Sequence, residues 1–354
     1  MRPLRVALLY NLKKNAPHKP GEPVDALAEL DTEDTAQALQ RAMEEGGHRV
    51  IPLEGDVNLY PTLQRLRDQI DIAFNICEGH RGDSRESQVP AILEMLGIPY
   101  TASKILANAL SLDKAMAKRV WMSFGLPTAA FQVFNRADEP LRPELSFPLF
   151  AKPVAEGTAK GISREAIVEN ETQLRQRVQW LIQAYGQPAL VETFLPGREF
   201  TVGLIGNAVR PGEAPLSDLY DKKGFHVFPV LEIDTSPLAK TEGTIYTSRI
   251  KSDQPMDINY HCPAKVDAAL ERELKWLAVQ SFLTINALDV SRVDIRLDAA
   301  GHPRLLEINT LPGINPDISD LCIVAKAEGM LYTRLVNEIL NLAARRAGLE
   351  QAGN

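Results

Sequence analysis

The sequence predicts an α/β protein that begins with a parallel sheet and continues into mixed α+β structure. Strand-like and helix-like segments alternate over the first third of the chain, which is typical of a parallel sheet covered by helices. After a helix stop signal at residues 125–127 (GLP), strands and loops predominate. The length of 354 residues is sufficient for two or three domains.

Apolar runs and helix signals define the elements of the first third. Short apolar runs at residues 5–9, 49–53 and 70–76 predict buried parallel strands. A helix is expected over residues 31–45, with acidic residues in its first turn and glycines after its end. A second helix is expected over residues 87–96, because a glycine and a proline follow it.

The connection between the first strand and the first helix is unusually long. Residues 11–30 are rich in Lys, Pro and Glu. Loops of this length are often functional lids or disordered segments.

The rest of the chain alternates between short strands and a few helices. We expect strands at residues 149–153, 189–194, 199–205, 293–298 and 304–309. We expect helices at residues 113–124, 171–185, 264–286 and 332–345.

Composition and charge exclude several classes of function. Apolar residues make up 45% and charged residues 24%, as in ordinary globular enzymes. A net charge of -7 disfavours a general nucleic-acid or anionic-membrane binder. The apolar run in residues 1–10 is too short for a signal peptide, and no window has the length of a membrane span, so we expect a cytoplasmic protein. The three cysteines are far apart, and neither a disulfide framework nor a zinc site is expected.

A predicted hairpin near the C-terminus carries hard oxygen donors. Glu307 and Asn309 lie two residues apart on one strand and therefore face the same side. Asp294 is placed to face them from the partner strand. Such donors suit Mg²⁺, which binds few protein carboxylates together with nucleotide phosphates. The alternative is a polar sheet face with solvated acids, and the residues alone leave the two interpretations even.

A glycine-rich segment follows the strand that ends at Lys152. Residues 156–161 read EGTAKG, so Gly157, Thr158 and their neighbours could bring backbone N–H groups against phosphates. The segment is neither a Walker loop nor a dinucleotide-binding fingerprint. In isolation, a simple hairpin turn is the favoured interpretation.

Four charged residues are further candidates for nucleotide contacts. Lys114 and Lys152 could neutralise phosphate charge, although a single lysine is usually only solvated. Glu192 and Glu199 flank the sequence FLPG, where a strand edge could receive an adenosine. The alternative is an ordinary strand, turn and strand. No Ser–His–Asp or Cys–His arrangement stands out, so nucleophilic hydrolysis has little support.

Seven segments together resemble the D-alanine–D-alanine ligase branch of the ATP-grasp superfamily. The resemblance covers most of the chain, and the set is far more specific in its order and spacing than any single motif. In chain order, the segments are FNICEG (74–79), ESQVPAILEMLGIPYTAS (86–103), LDKAMAKRVWMSFGLPT (112–128), FPLFAKPVAEGTAKGIS (147–163), LVETFLPGREFTVGLIGN (190–207), RVDIRLD (292–298) and LLEINTLPGIN (305–315).

The resemblance implies an ATP-grasp fold in three parts and an ADP-forming ligase activity. An N-terminal parallel α/β domain would span residues 1–110, a central α+β lid residues 111–206, and a C-terminal α+β catalytic domain residues 207–354. The implied enzyme joins a carboxylate to an amine through an acyl-phosphate and uses ATP with two Mg²⁺ ions, or Mn²⁺ in their place. Its implied substrates are amino acids or small peptides, and its implied assembly is a homodimer.

The resemblance also assigns roles to individual residues by position. The nucleotide-binding residues would be Lys114, Lys152, Gly157 and Thr158 for the phosphates, and Glu192, Phe194, Leu195 and Glu199 for the adenine and ribose. The metal ligands would be Asp294, Glu307 and Asn309. The tetrahedral intermediate would be stabilised by Arg292 and by the backbone N–H of Gly313, and Ser319 would bind the carboxylate of the second substrate.

Three departures from the family pattern concern the first substrate. The family's N-terminal glycine-rich turn, with its ammonium-binding glutamate, has no clear match, and residues 11–30 stand in its place. Residues 77–80 read CEGH where the family usually has His-Gly. Ile250 stands where the family has the tyrosine that closes over the substrate.

Three hypotheses about function remain open at this point. The chain is a D-alanine–D-alanine ligase, a related ligase with other substrates, or an ATP-binding regulatory protein without turnover. The intact set of Arg292, Asp294, Glu307 and Asn309 argues against the third hypothesis.

Overall fold

The computed structural model describes residues 2–17, 21–235 and 259–349. Within those ranges, no helix combines the length and the apolar character that crossing a membrane requires.

The N-terminal part is built on a parallel sheet, as the sequence predicts. Its three strands have the order β2-β1-β3, so that β1 is central and almost fully buried. The strands are β1 (Arg5–Tyr10), β2 (Arg49–Glu54) and β3 (Ile72–Asn75). The helices of this part are α1 (Glu33–Glu45), α2 (Leu59–Leu66) and α3 (Gln88–Leu96).

The central part holds a four-stranded antiparallel sheet. Two consecutive helices, α4 (Ile105–Leu112) and α5 (Lys114–Ser123), lead into it. Its strands have the order β4-β7-β5-β6. They are β4 (Phe131–Phe134), β5 (Leu149–Pro153), β6 (Ile167–Val168) and β7 (Ala189–Thr193). Helix α6 (Glu171–Tyr185) packs on this sheet, with Asn170 as a side-chain cap at its start and the left-handed Gly186 at its end.

The C-terminal part holds a larger antiparallel sheet. Five of its strands follow the order β11-β10-β8-β12-β13, and β9 pairs with β8. They are β8 (Glu199–Gly206), β9 (Phe225–Val227), β10 (Leu231–Asp234), β11 (Asn259–His261), β12 (Asp289–Leu297) and β13 (Pro303–Asn309). The helices of this part are α7 (Ala268–Thr284), α8 (Asp320–Ala327) and α9 (Tyr332–Arg346).

Several details of the C-terminal part differ from the sequence-based expectation. Strand β12 begins at Asp289 and not at residue 293, and β9, β10, β11 and α8 were not expected. Two further differences concern α7 and β8. Helix α7 begins at Ala268 and not at residue 264, because the Asp267 carboxylate accepts the N–H groups of Ala269 and Leu270 and so caps the helix. Strand β8 lies within the expected lid range of 111–206, yet it pairs with β10 and β12. We therefore propose that the lid ends between β7 and β8.

Candidate active site

Two adjoining cavities gather the residues that the sequence singles out. The first lies between the central and the C-terminal sheets, and the second opens toward the N-terminal part. The first is lined by Lys114, Lys152, Thr158, Glu192, Phe194, Leu195, Glu199, Arg292, Asp294 and Glu307. The second is lined by Gly157, Asn309, Gly313 and Ser319. Both cavities share Lys114, Thr158, Arg292, Glu307 and Asp320.

Two buried lysines bring positive charge to the first cavity. Lys114 begins α5, and its Nζ donates to the carbonyl oxygen of Glu156 and lies 3.2 Å from Oε2 of Glu307. Lys152 lies on β5, with its Nζ 2.7 Å from Oε1 of Glu192. Burial by itself lowers the pKa of Lys152, but the Glu192 carboxylate outweighs it and raises that pKa. Lys152 therefore presents a charged ammonium group to the cavity.

The glycine-rich segment contains two adjacent left-handed residues that are not glycine. Thr158 and Ala159 have positive φ angles of 49° and 54°, which residues with a Cβ rarely adopt. At Gly161, with φ 70°, a Cβ would lie 2.7 Å from Cγ of Pro153. Backbone N–H groups in such left-handed turns form concave anion sites, and strained backbone of this kind clusters at ligand sites. The segment therefore has the backbone of an anion site, although the N–H groups of Gly157 and Gly161 donate to carboxylates of the chain itself.

The long N-terminal connection closes over this glycine-rich segment. The Glu29 carboxylate accepts the N–H of Gly157 and lies 2.8 Å from Nη2 of Arg85 and 3.0 Å from Nζ of Lys160. The Glu29 side chain is only 4% exposed. Asp25 accepts the N–H of Gly161 at 2.9 Å. Glu29 was missed by sequence reasoning, because no local pattern pairs it with a loop more than 100 residues away.

The predicted adenine and ribose residues line the outer end of the first cavity. Phe194 and Leu195 follow β7, and the guanidinium of Arg296 lies 5.7 Å from the Phe194 ring centre. Glu199 lies 3.2 Å from Nη1 of Arg296. Burial raises the pKa of Glu199, and Arg296 offsets only part of the effect. This end therefore combines apolar surface with one carboxyl group.

The predicted metal ligands meet on one face of the hairpin formed by β12 and β13. Asp294 is directly opposite Glu307, and Arg292 is directly opposite Asn309. The Arg292 guanidinium donates to Asp294 at 3.1 and 2.9 Å, and its Nη1 lies 3.2 Å from Oδ2 of Asp320. Asp320 is a buried residue that sequence reasoning did not select.

The donor set of this hairpin fits Mg²⁺. It offers two carboxylates and one amide oxygen, from Asp294, Glu307 and Asn309. Burial raises the pKa of Glu307, but Lys114, Lys152 and Arg292 together outweigh it and hold that pKa well below its usual range. Over the described ranges, no group of three or more His, Cys, Asp or Glu side chains could hold a metal ion. Mg²⁺ needs no such group, because it commonly binds one or two carboxylates and takes its remaining ligands from phosphates and water.

Gly313 and Ser319 lie together in the second cavity. Ser319 precedes α8, and its Oγ accepts the N–H of Asn315 at 2.9 Å. A Cβ on Gly313 would lie 3.0 Å from that Oγ, so a larger residue would crowd the hydroxyl. The Ser319 hydroxyl and the Gly313 backbone therefore lie next to each other in the lining of the second cavity.

Comparisons with known proteins place the chain in a family. The family model described as the D-ala D-ala ligase C-terminus matches residues 120–341. The D-alanine–D-alanine ligase of Nitrosococcus oceani is 30% identical over 90% of this chain and 90% of its own length. That of Bordetella petrii is 32% identical over 84% of this chain and 86% of its own. The chain belongs to the D-alanine–D-alanine ligase family.

One further sequence relative and one solved structure are also similar to this chain. The uncharacterized protein y4sG of Sinorhizobium fredii is 34% identical over 88% of this chain and 88% of its own length. The crystal structure of the Bacillus anthracis D-alanine–D-alanine ligase complexed with ATP matches with a TM-score of 0.71 at 19% identity. That match covers 98% of this chain and all of the other. The predicted ATP-grasp fold is thereby confirmed.

The structure describes two of the three places where the sequence departs from the family pattern. Glu29 supplies a buried carboxylate beside the second cavity, where the sequence showed no clear N-terminal glutamate. Glu78 lines the same cavity. Ile250, the expected replacement of the closing tyrosine, lies outside the described residues.

Proposed function

We propose that this chain is an ATP-dependent ligase that joins the carboxylate of one amino acid to the amine of another through an acyl-phosphate. The observation that carries the proposal is the meeting of the two cavities at Lys114, Thr158, Arg292 and Glu307. A nucleotide in the first cavity and a carboxylate in the second would meet at this junction. Membership of the D-alanine–D-alanine ligase family supports the same reaction.

The proposed chemistry needs no nucleophilic side chain. A substrate carboxylate oxygen attacks the γ-phosphorus of ATP, and ADP leaves. Lys114 and Lys152 would hold the phosphates while charge moves. The amine of the second substrate then attacks the acyl carbon, and inorganic phosphate leaves. Arg292 and the Gly313 N–H would stabilise the oxyanion, and Ser319 would bind the second carboxylate.

The metal and the lid complete the proposal. Asp294, Glu307 and Asn309 would hold Mg²⁺, which neutralises charge on the phosphates when it is bound. The central sheet and its glycine-rich segment would exclude water from the acyl-phosphate. The homodimeric assembly and the cytoplasmic location remain predictions.

One observation favours substrates other than D-alanine. Within the described part of the chain, the carboxyl groups of Asp31, Glu78 and Glu86 have no hydrogen-bond or ion-pair partner, and all three line the second cavity. Burial raises the pKa of Glu86 to about 8, and burial together with Glu29 raises that of Glu78 well above its usual range. An ammonium or guanidinium group on a substrate side chain would pair with these carboxyl groups in addition to the α-ammonium group that every amino acid carries, whereas the methyl group of alanine offers them nothing. The second candidate is therefore a related ligase that takes a basic amino acid.

A substrate panel tests both candidates. ADP formation is measured with ATP, Mg²⁺ and pairs drawn from D- and L-alanine, lysine, ornithine and norleucine, and products are identified by mass spectrometry. A ligase forms ADP only when a carboxylate and an amine substrate are both present. Faster turnover with lysine or ornithine than with norleucine selects the second candidate. ATP binding without ADP formation on any pair contradicts the proposal and favours a non-catalytic ATP-binding protein.

A further inference from the structure

A fully buried lysine lies behind the first cavity, outside the set that sequence motifs select. Lys118 lies on α5, one turn after Lys114, and its side chain is 0% exposed. Its Nζ donates to Oγ1 of Thr128 at 2.7 Å and to the carbonyl oxygen of Leu305 at 3.4 Å. Lys118 does not line the first cavity, so it is not placed to touch a nucleotide.

The Glu192 carboxylate lies between two lysines. Its Oε1 is 2.7 Å from Nζ of Lys152, which faces the cavity, and its Oε2 is 2.8 Å from Nζ of Lys118, which lies behind it. The contact with Lys118 is an ion pair without an aligned hydrogen bond. Burial raises the pKa of Glu192, but the two ammonium groups outweigh it and lower that pKa to about 2. Glu192 is therefore ionised between two lysines. Burial lowers the pKa of Lys118, and the Glu192 carboxylate opposes that lowering.

The two lysines and the one carboxylate together carry one positive charge in excess. If Glu192 had Lys152 as its only partner, the pair would be neutral, and the carboxylate would compete with a phosphate for the ammonium group. Lys118 supplies a second counter-charge from behind, so Lys152 keeps a net attraction for an anion in the cavity.

We infer that Lys118 is a positioning residue for nucleotide binding, which acts through Glu192 to keep Lys152 available to the phosphates of ATP. The inference rests on the proposed function. It concerns phosphate attraction alone. Glu192, which the resemblance assigned to the adenine and ribose, pairs with both lysines here, whereas Phe194, Leu195 and Glu199 line the part of the cavity left for the adenosine.

Binding of ATP and of adenosine separates this role from a general effect on folding. Dissociation constants are measured by calorimetry on the full chain with Mg²⁺. Lys118→Met should weaken ATP binding by about tenfold, the order expected for one buried charge interaction, and leave adenosine binding unchanged. The control is Lys275→Met, since Lys275 lies at the protein surface on α7 and should have no effect.

Two combined variants test the route of the effect. Lys118→Met with Glu192→Gln removes both charges, so it buries no unpaired carboxylate, and ATP binding should return to within about threefold of wild type. In a Lys152→Met/Glu192→Gln background, Lys118→Met should cause no further loss, because both groups through which it acts are gone.

Each outcome decides between the alternatives. Unchanged ATP affinity in Lys118→Met, or equal losses for ATP and adenosine, overturns the inference and leaves the proposed function intact. If Lys118→Met does not fold, the Lys118→Met/Glu192→Gln variant decides, and a tenfold weaker affinity for ATP than wild type overturns the inference. A wild-type protein that binds no ATP overturns the proposed function and, with it, the inference.

Discussion

The Nζ of Lys114 lies 3.2 Å from Oε2 of Glu307, which joins the start of helix α5 to strand β13. A predicted phosphate ligand and a predicted metal ligand thus touch directly, although they lie far apart in the sequence. The Lys114 ammonium group compensates part of the negative charge of the Glu307 carboxylate. Substitution of Glu307 should therefore affect both the proposed metal site and the position of the proposed phosphate ligand Lys114.

We expect Glu307→Gln to lower kcat at least 100-fold and to raise the Mg²⁺ concentration needed for half-maximal rate, because an amide is a weaker ligand for a hard cation. The rate of ADP formation against Mg²⁺ concentration measures both effects. The control is Glu271→Gln on the surface of α7. A Glu307→Gln enzyme with normal kinetics at limiting Mg²⁺ would remove this residue from the metal site.

We expect Lys152→Ala to weaken ATP binding at least tenfold, because it removes a charged donor to the phosphates. The stability should change little, because Glu192 keeps Lys118 as a partner. Calorimetry measures the affinity, and thermal unfolding measures the stability. Lys14→Ala is the matched control, since that side chain is 57% exposed and pairs with Glu33 at the surface. Equal ATP affinities for the two variants would show that Lys152 does not contact the phosphates.

We expect Ser319→Ala to raise the KM of the amine substrate about tenfold, with KM for ATP unchanged, because the hydroxyl would bind only the second carboxylate. Initial rates with each substrate varied in turn give the two constants. Ser123→Ala, at the exposed end of α5, is the control. A parallel rise in both constants would indicate a general distortion of the loop before α8.

We expect Glu29→Gln to destabilise the protein by about 2–4 kcal/mol, because it leaves the buried charges of Arg85 and Lys160 with Glu156 as their remaining carboxylate. The midpoint of thermal unfolding should fall by several degrees. Glu33→Gln removes an exposed ion pair and should change the midpoint little. Identical midpoints for the two variants would show that residues 11–30 do not hold the glycine-rich segment.

We expect Asp31→Asn to stabilise the protein more at high pH than at low pH. Burial raises the pKa of Asp31 to about 7 from 3.8, so the folded state binds the proton more tightly than the unfolded state. The free energy of unfolding therefore falls as the pH rises from about 4 to about 7, because the folded state must give up a tightly bound proton. Asn cannot titrate, so the substitution removes this pH-dependent loss of stability.

The gain from Asp31→Asn should be about 2 kcal/mol larger at pH 8 than at pH 5. Urea unfolding at both values measures it, with the exposed Asp34→Asn as control. A gain that does not change with pH would show that Asp31 is not the titrating group.

Local patterns determined much of this protein from the sequence alone. Helix α6 and strand β5 have the predicted bounds, because a capping Asn, a terminal Gly and an apolar run are signals within a few residues. The side-by-side placement of Glu307 and Asn309 follows from strand alternation. The order and spacing of the motifs identified the family before any contact was known.

Tertiary structure decided what depends on long-range packing. Strand β8 belongs to the C-terminal sheet because it pairs with β10 and β12, and its own sequence does not specify these partners. Glu29 and Lys118 gained their roles from residues that lie 128 and 74 positions away along the chain, Gly157 and Glu192. A buried charge must find a counter-charge wherever the folded chain brings one, and that choice is made by sheet register and domain contact, not by local sequence.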